Sequence, residues 1–510
     1  MKIYASIHVG SFGISLKVFE IVKGKRLKKV DEMRRHMNLS RDILLYGKLS
    51  KDNLLLVVDM LRDMKETITA YKTDDCDVYA GFALAEAANM ATLVDQVRLA
   101  TGMELVVLDN SRQRFIEYKA LCSLTRFSDL IRERAVIVDV GGSGIQLTLF
   151  AKGKLITTQH ISLGATTVWD SLRKVRQSSD YRKQLLQMII SKVETFYYTF
   201  LNEEPLKRLI IINNPIVSIN QARKKSKEGV FSTVDYLKIL SKTVKENSYN
   251  VTEGEEGEDI GDMRLSFLLL YRAILSTIPV DEVFVPPISL HEGMVSEYVY
   301  GKKLLPLPRD FDEDVLSASW TIAERYNSNP KHIKSLKELS EQLFDSIPRR
   351  HGLTVRHRLL LSVAALLHDC GRFISLSDEA SSVYTIIRAS EILGLTNQER
   401  AMIAWICLFY KDEVRPYEEL SAEFSRDEYF TLLKLYAILY LAGSLDRSHS
   451  HKFKAIRFRF NGRDELSVTI DTQDSLALEK GIFNERAGVF EDVFAIRPVL
   501  KTVRLKGGLS

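Results

Sequence analysis

Cysteine is scarce. The chain has four cysteines in 510 residues, and none of Cys76, Cys122, Cys370 and Cys407 has a neighbour at CxxC spacing. That excludes a disulfide framework and a zinc-knuckle pattern and reads as reduced core thiols. No run approaches the ~18 apolar residues needed to span a membrane, so no membrane partner is expected. The first strand-like segment begins at Lys2 with no apolar leader ahead of it, so no signal peptide is expected and the cytoplasm is the expected compartment. Charge of one sign is also lacking. Seventy-one Lys and Arg against 66 Asp and Glu leave a net +5, too little for a dedicated nucleic-acid binder. Basic clusters at 23–29 and 222–227 read as a solvated hairpin and a solvated loop. Of only 11 prolines, two fall within 305–312, the best candidate linker.

Apolar residues make up 45% of the chain, enough for sizeable cores in three or four domains. The first half contains an internal repeat. Gly10, Gly13, Ile14, Leu16 and Phe19 recur as Gly141, Gly144, Ile145, Leu147 and Phe150, 131 positions on. Each copy follows an apolar strand (3–9 and 135–140) and leads to a Lys-Gly-Lys turn (23–25 and 152–154) and a further strand. Strand, glycine turn, strand, turn, strand is a β-meander. Helical patterns follow each meander, at 51–71 and 165–202. Glycines at such turns allow φ > 0 and leave backbone N–H groups unobstructed, and successive N–H groups form an anion-binding concavity. Gly10, Ser11 and Gly13 with Gly141, Gly142, Ser143 and Gly144 are therefore the candidate phosphate-binding residues. Ligands of two-lobed α/β folds sit in the cleft between the lobes.

Residues 252–261 read as an acidic, glycine-rich loop. Beyond about 313 the pattern turns helical, with helices expected at 314–326, 330–346, 355–368, 379–393, 397–410 and 428–444. The last segment reads as a small α+β cap: strands at 455–460, 466–471 and 498–503 around a helix at 475–493. Trp169, Trp320 and Trp405 lie in helical patterns and read as core anchors.

The stretches 7–15, 81–89, 136–146, 162–164, 290–293 and 324–446, taken in order, resemble the exopolyphosphatase/guanosine pentaphosphate phosphohydrolase (Ppx/GppA) family, of which this chain looks a divergent member. Within the last stretch Arg325, Tyr326, His332, Leu343-Phe344-Asp345, 364–371 and 445–449 carry the likeness. The resemblance implies an α/β + α fold: a duplicated actin-like (ribonuclease H-like) two-lobed module, then a helical HD-type domain and a small C-terminal α+β segment. The expected bounds are 1–130, 131–304, 313–450 and 451–510. It also implies action on inorganic polyphosphate or guanosine pentaphosphate, allows for Mg2+ or Mn2+, and suggests a homodimer.

Several family positions are altered. The first-strand acid is His8, the second-turn Glu is Gln146, and the Glu pair after Thr101-Gly102 is replaced around Gln113, while Asp139 is kept. Ala85 stands at a phosphate-contacting Arg position, and the third loop, near 210–218, reads Asn213-Asn214-Pro215 without glycine. An amide accepts hydrogen bonds but takes no proton at neutral pH, and a lost general base is worth about 10²–10⁴ in rate. The module is thus expected to be catalytically impaired, unless Glu117, Asp139 or Glu292 takes over. In the helical half, His332, His368, Asp369 and Asp446 follow the H…HD…D order of HD phosphohydrolases and are the candidate ligands for Mn2+, Fe2+, Zn2+ or Mg2+. The alternative is a buried polar network that fixes helix packing. Arg372 and Arg447 could hold phosphate or pair with Asp345 or Asp369. His36, His160, His291, His351, His357, His449 and His451 show no ligand spacing. Three functions remain open: a family hydrolase, a degenerate binding or regulatory protein (a pseudoenzyme), and an HD-type metal phosphohydrolase.

Overall fold

The computed structural model describes residues 2–504 except 23–26, 175–180, 202–203, 213–225, 227–228, 249–254, 349–350, 447–454 and 463. Much of both basic clusters, the Lys23–Lys25 turn, the third-loop residues Asn213, Asn214 and Pro215, and also Arg447, His449 and His451 therefore lie outside the described residues. The chain divides into two compact units, Met1–Asp310 and Phe311–Ser510.

In unit 1, β1 (Lys2–Gly10), β2 (Gly13–Ile21) and β3 (Leu27–His36) form an antiparallel meander, which parallel pairing extends to β4 (Cys76–Ala80) and β5 (Leu105–Val107) in the order 3-2-1-4-5. The second sheet has β6 (Ala135–Val140), β7 (Ile145–Ala151), β8 (Lys154–Ile161), β9 (Leu206–Ile212), β10 (Val230–Ser232) and β11 (Val280–Phe284). Its order is 8-7-6-9-11, with β10 added antiparallel at the edge. The repeat of glycines is thus a repeat of topology.

Each sheet has one apolar and one polar face, because side chains alternate along a strand. Ile7, Val9, Ile14, Leu16 and Val18 pack with Leu54, Leu61, Leu93 and Val97 from the helices Lys51–Ala70 and Met90–Thr101. Val136, Val138, Ile145 and Leu147 pack with Trp169, Ile189 and Leu270 from Ala165–Lys174, Tyr181–Phe196 and Glu255–Thr277. The opposite faces carry Ser6, His8, Ser15 and Lys17 in the first sheet and Asp139, Gln146, Thr148 and His160 in the second. Directly paired residues share a face, and the pairs are His8 with Ser15, Asp139 with Gln146, and Gln146 with His160.

Two helices cover the polar faces, and each crosses to the other lobe. Helix Asn110–Cys122 follows β5, yet its Tyr118 stacks on Phe150 of β7 and its Arg114 reaches His160 of β8. Helix Leu290–Gly301 follows β11, yet its Val295 and Val299 pack with Tyr4, Phe19 and Ile21 of the first sheet. The two helices cross at Gly293, where a Cβ would lie 2.1 Å from the Ile116 carbonyl oxygen. Glu297 accepts from both Arg112 (2.7 Å) and Lys119 (2.6 Å) across the same crossing.

Unit 2 contains the helices Phe311–Arg325, Pro330–Ser346, Val355–Leu367, Glu379–Ala389, Asn397–Lys411 and Arg426–Ala442. After them come β12 (Ala455–Asn461), β13 (Glu465–Thr472), the helix Ala477–Phe494 and β14 (Arg497–Arg504), which pairs parallel with β13.

Three expectations change. Residues from Glu255 onward open a helix rather than lying in a loop; the apolar residues further along, such as Leu269, Leu270 and Ile274, pack into the core, and that burial overrides local propensity. The pattern at 165–202 is two helices, the second ending in a π-helical turn, Tyr197–Leu201. Trp169 is a buried anchor, but Trp320 and Trp405 are only half-buried because each indole N–H donates to a glutamate, Glu324 and Glu423 respectively.

The crossing is the tightest backbone constraint between the two lobes. Gly293→Ala is expected to cost about 1–3 kcal/mol, read as a lower midpoint in urea unfolding. Gly488→Ala, mid-helix with nothing within 4 Å of its Cβ position, is expected to be neutral or stabilising by up to about 1 kcal/mol. Equal losses at both sites would contradict the assignment.

Candidate functional site

Two clusters of candidate residues come together, one in each unit. In unit 1, both glycine turns sit at the ends of the central strands. The first turn, Gly10 to Gly13, has its carbonyls tied to protein: Ser11 O accepts from Leu39 and Ser40 N–H, and Phe12 O from Met37 N–H. Phe12 itself packs onto the second lobe against Phe267. Gly13 sits at φ 149° with its absent Cβ 2.3 Å from Arg35 O, so only glycine fits. The second turn, Gly141 to Gly144, is likewise tied through Gly141 O and Gly142 O to the N–H groups of Ala165 and Thr166. Gly164 makes that approach feasible, since a Cβ there would meet Gly142 O at 2.1 Å.

Between the turns lies the helix Asn110–Cys122, capped by Asp109, whose carboxylate accepts from Arg112 N–H at 2.7 Å. Gln113 Oε1 accepts from Phe82 N–H (3.0 Å), and its Nε2 donates to Glu117 Oε1 (3.1 Å). A Cβ on Gly81 would be 3.2 Å from His8 Nε2 and 3.3 Å from Gln113 Oε1, so the two altered family positions converge on one spot. Burial, reinforced by Arg34, lowers the His8 pKa to about 4, so this imidazole is neutral at pH 7. In the second lobe, Gln146 is 6% exposed, and among the described residues neither end of its amide has a hydrogen-bond partner, nor does the Ser143 hydroxyl in the adjoining turn. His160 flanks Gln146, and its Nδ1 lies 2.8 Å from Arg114. Asp139 lies beside Gln146 and raises the pKa of buried Tyr271, after burial itself and Tyr236.

Of the carboxylates expected as alternative bases, Glu292 is committed elsewhere. It binds Lys17 Nζ at 2.9 Å and closes a capping box with the Ser289 N–H and hydroxyl. Glu117 is 4% exposed and accepts from Gln113. His291, with no ligand spacing in sequence, is a satisfied core residue: Nδ1 meets Ser6 Oγ and Nε2 meets Ser15 Oγ, both at 2.8 Å. Ser6 donates its own proton to Lys17 O, so Nδ1–H donates to Ser6 and Ser15 donates to Nε2. Burial, Lys17 and His8 push the His291 pKa well below the ordinary range.

In unit 2 the four predicted residues come from three chain segments and are all buried: His332 at 3%, His368 at 1%, Asp369 at 5% and Asp446 at 4% exposure. His332 is in the first turn of Pro330–Ser346, behind the Asn329 cap. His368 caps the C-terminus of Val355–Leu367, and its Nδ1 lies 2.9 Å from Ala365 O. The Nε2 atoms of His332 and His368 are 3.3 Å apart; Asp369 lies 3.3 Å from His368 Nε2 and 3.8 Å from His332 Nε2; Asp446 lies 3.9 Å from His332 Nδ1. His332, His368 and Asp369 are close enough to share one cation. Asp369, however, already accepts from Lys411 Nζ (2.9 Å) and Arg372 Nη1 (3.1 Å), and both cations also pair with Glu379. Burial pushes the Asp369 carboxyl up, but His368, Lys411 and Arg372 hold it far below the usual carboxylate range. Burial lowers His368 to about 4 against the pull of Asp369. By donor type the cluster suits a divalent cation; by charge it does not fit one, because both Asp369 oxygens carry cationic partners. Asp369 and Arg372 line a pocket of about 300 Å³ with Tyr326, Asn327, Asn329 and Phe373. Arg372 pairs with Asp369, whereas Asp345 pairs with Arg358.

Arg114, His160, Gly164 and Lys411 were not legible as site residues. His160 stands cross-strand from Gln146, a period-2 signal once the meander register is known. Lys411 ends its helix 42 positions beyond Asp369, with no local signal.

Comparison with known proteins follows the same division. Residues 17–250 match the model of the Ppx/GppA phosphatase family, and residues 317–481 match Ppx/GppA phosphatase, domain III. The Aquifex aeolicus Ppx/GppA phosphatase is 17% identical, covering 58% of this chain and 99% of its own, at a TM-score of 0.45. An exopolyphosphatase from Cytophaga hutchinsonii is 15% identical, covering 60% of this chain and 100% of its own, at 0.49.

The buried imidazoles make stability depend on pH. His8, His291 and His368 have pKa values depressed below the 6.5 of the unfolded chain, so the unfolded state binds more protons between about pH 6.5 and 4. Their contribution is complete above about 6.5 and is lost as pH falls. The melting temperature is expected to drop from pH 7 to pH 5 in scanning calorimetry, and to drop less in His291→Gln. An equal drop in both would contradict this account.

Proposed function

Because the chain belongs to the Ppx/GppA phosphatase family, we propose that unit 1 is a phosphohydrolase scaffold that binds a phosphate chain, inorganic polyphosphate or guanosine pentaphosphate, with impaired turnover. The observation that carries this reading is the amide pair. Gln113 and Gln146 stand where the family resemblance implies a proton acceptor, and an amide cannot serve. Gln113 is held in place by Phe82 and Glu117, whereas Gln146 and Ser143 keep buried polar atoms without partners among the described residues. Such atoms cost about 1–3 kcal/mol each, a cost that phosphoryl oxygens and the waters around them would relieve. Mg2+ or Mn2+ arriving with the phosphate chain would neutralise its charge, with Asp139 the retained carboxylate on the cleft strand. The sequence-based bounds, 1–130 and 131–304 for the lobes, 313–450 for an HD-type helical domain and 451–510 for the cap, are part of this proposal, as are a homodimer and a cytoplasmic setting. No helix among the described residues is long and apolar enough to cross a membrane.

A second reading makes unit 2 an HD-domain metal-dependent phosphohydrolase. The convergence of His332, His368, Asp369 and Asp446 favours it, and the Lys411–Asp369 pair opposes it.

Phosphate release from long-chain polyphosphate and from guanosine pentaphosphate, with Mg2+ or Mn2+, tests both readings alongside a binding titration. Saturable polyphosphate binding that weakens in Gln146→Ala is expected, with release about 10²–10⁴ below ordinary enzymatic rates. Gln113→Glu and Gln146→Glu singly are expected not to restore turnover. Wild-type release at about 1–10³ per second would overturn the impaired-turnover reading. Release abolished by His368→Ala would instead favour the second.

A further inference from the structure

The metal-type cluster of unit 2 has donors arranged for a cation and also a cation of its own. His368 donates its Nδ1–H to Ala365 O, which leaves the Nε2 lone pair directed at His332 Nε2, 3.3 Å away. Two imidazole nitrogens bound at about 2.1 Å to one tetrahedral ion would lie about 3.4 Å apart, so the pair is already spaced for coordination. Asp369 Oδ1, 3.3 Å from His368 Nε2, completes a three-donor face. Asp446, 3.9 Å from His332 Nδ1, stands where a carboxylate orients a ligating imidazole.

The ammonium of Lys411 lies 2.9 Å from that same Oδ1. Its side chain is 11% exposed, and its other carboxylate partner is Glu379, also at 2.9 Å. An ion bonded to Oδ1 at about 2.1 Å would fall within about 5 Å of Nζ, two positive centres in a site that water screens poorly. Arg372 on Oδ2 and on Glu379 closes the remaining side. We infer that Lys411 is the resident cation of this cluster, and that its ammonium keeps a latent site for a first-row divalent ion closed. The class of ion follows from two imidazoles and one carboxylate, a set that suits Mn2+, Co2+ or Zn2+ better than Ca2+. The inference rests on the HD-type ligand set of the second reading and asks what occupies it.

The test uses untagged full-length protein, stripped with chelator and titrated with Co2+, whose visible absorption reports imidazole and carboxylate coordination. Wild type is expected to bind no stoichiometric Co2+. Lys411→Met, which keeps an unbranched stem and removes the charge, is expected to bind one ion per chain, at least about tenfold tighter than wild type, and the further change His368→Ala is expected to abolish it. Lys411→Gln, which keeps a donor to Glu379, serves if the Met variant does not fold. Stoichiometric binding in wild type that disappears in His368→Ala would overturn the inference, whatever the variants do. A folded Lys411 variant that binds no ion would overturn it as well. The hydrolase reading fails on the turnover of His368→Ala and this inference fails on ion content, so each can fall without the other.

Discussion

Gly293 against the backbone of Ile116 is the contact on which unit 1 depends. Each lobe sends one helix across to cover the polar face of the other lobe's sheet, and the two helices meet where one residue has no side chain. With a Cβ at 293 the helices would separate, and the polar layers beneath them would lose their cover. Those layers hold His8, Ser15 and Lys17 on one side and Asp139, Gln146 and His160 on the other. Burial at these layers keeps the imidazoles of His8 and His291 neutral.

The two clusters handle buried polarity in opposite ways. In unit 1, charge has largely been removed. A histidine and two amides stand where the family resemblance implies acids, and Glu292 is spent on Lys17 and a helix cap. What remains are hydrogen-bonding groups, of which the Gln146 amide and the Ser143 hydroxyl have no partner among the described residues. In unit 2, charge is retained but neutralised internally: Asp369 and Glu379 share Lys411 and Arg372. The first cluster is mainly hydrogen-bonded, and the second supplies its own counter-ions.

What the sequence by itself determined was the repeat and the element order. Glycines at tight turns and apolar alternation are local signals, so the paired meanders, the helices at 330–346 and 397–410, and the closing strands could be read from spacing alone. The H…HD…D order likewise foretold that His332, His368 and Asp369 would gather. Only the tertiary structure decided what those residues do there. The exchange of helices between lobes, the Arg114–His160 contact 46 positions apart and the arrival of Lys411 on Asp369 depend on packing between distant segments, for which no local pattern is required. Residue type specifies which groups can ligate or take a proton. Which neighbour neutralises them is set by where the chain returns, and that is a property of the folded core.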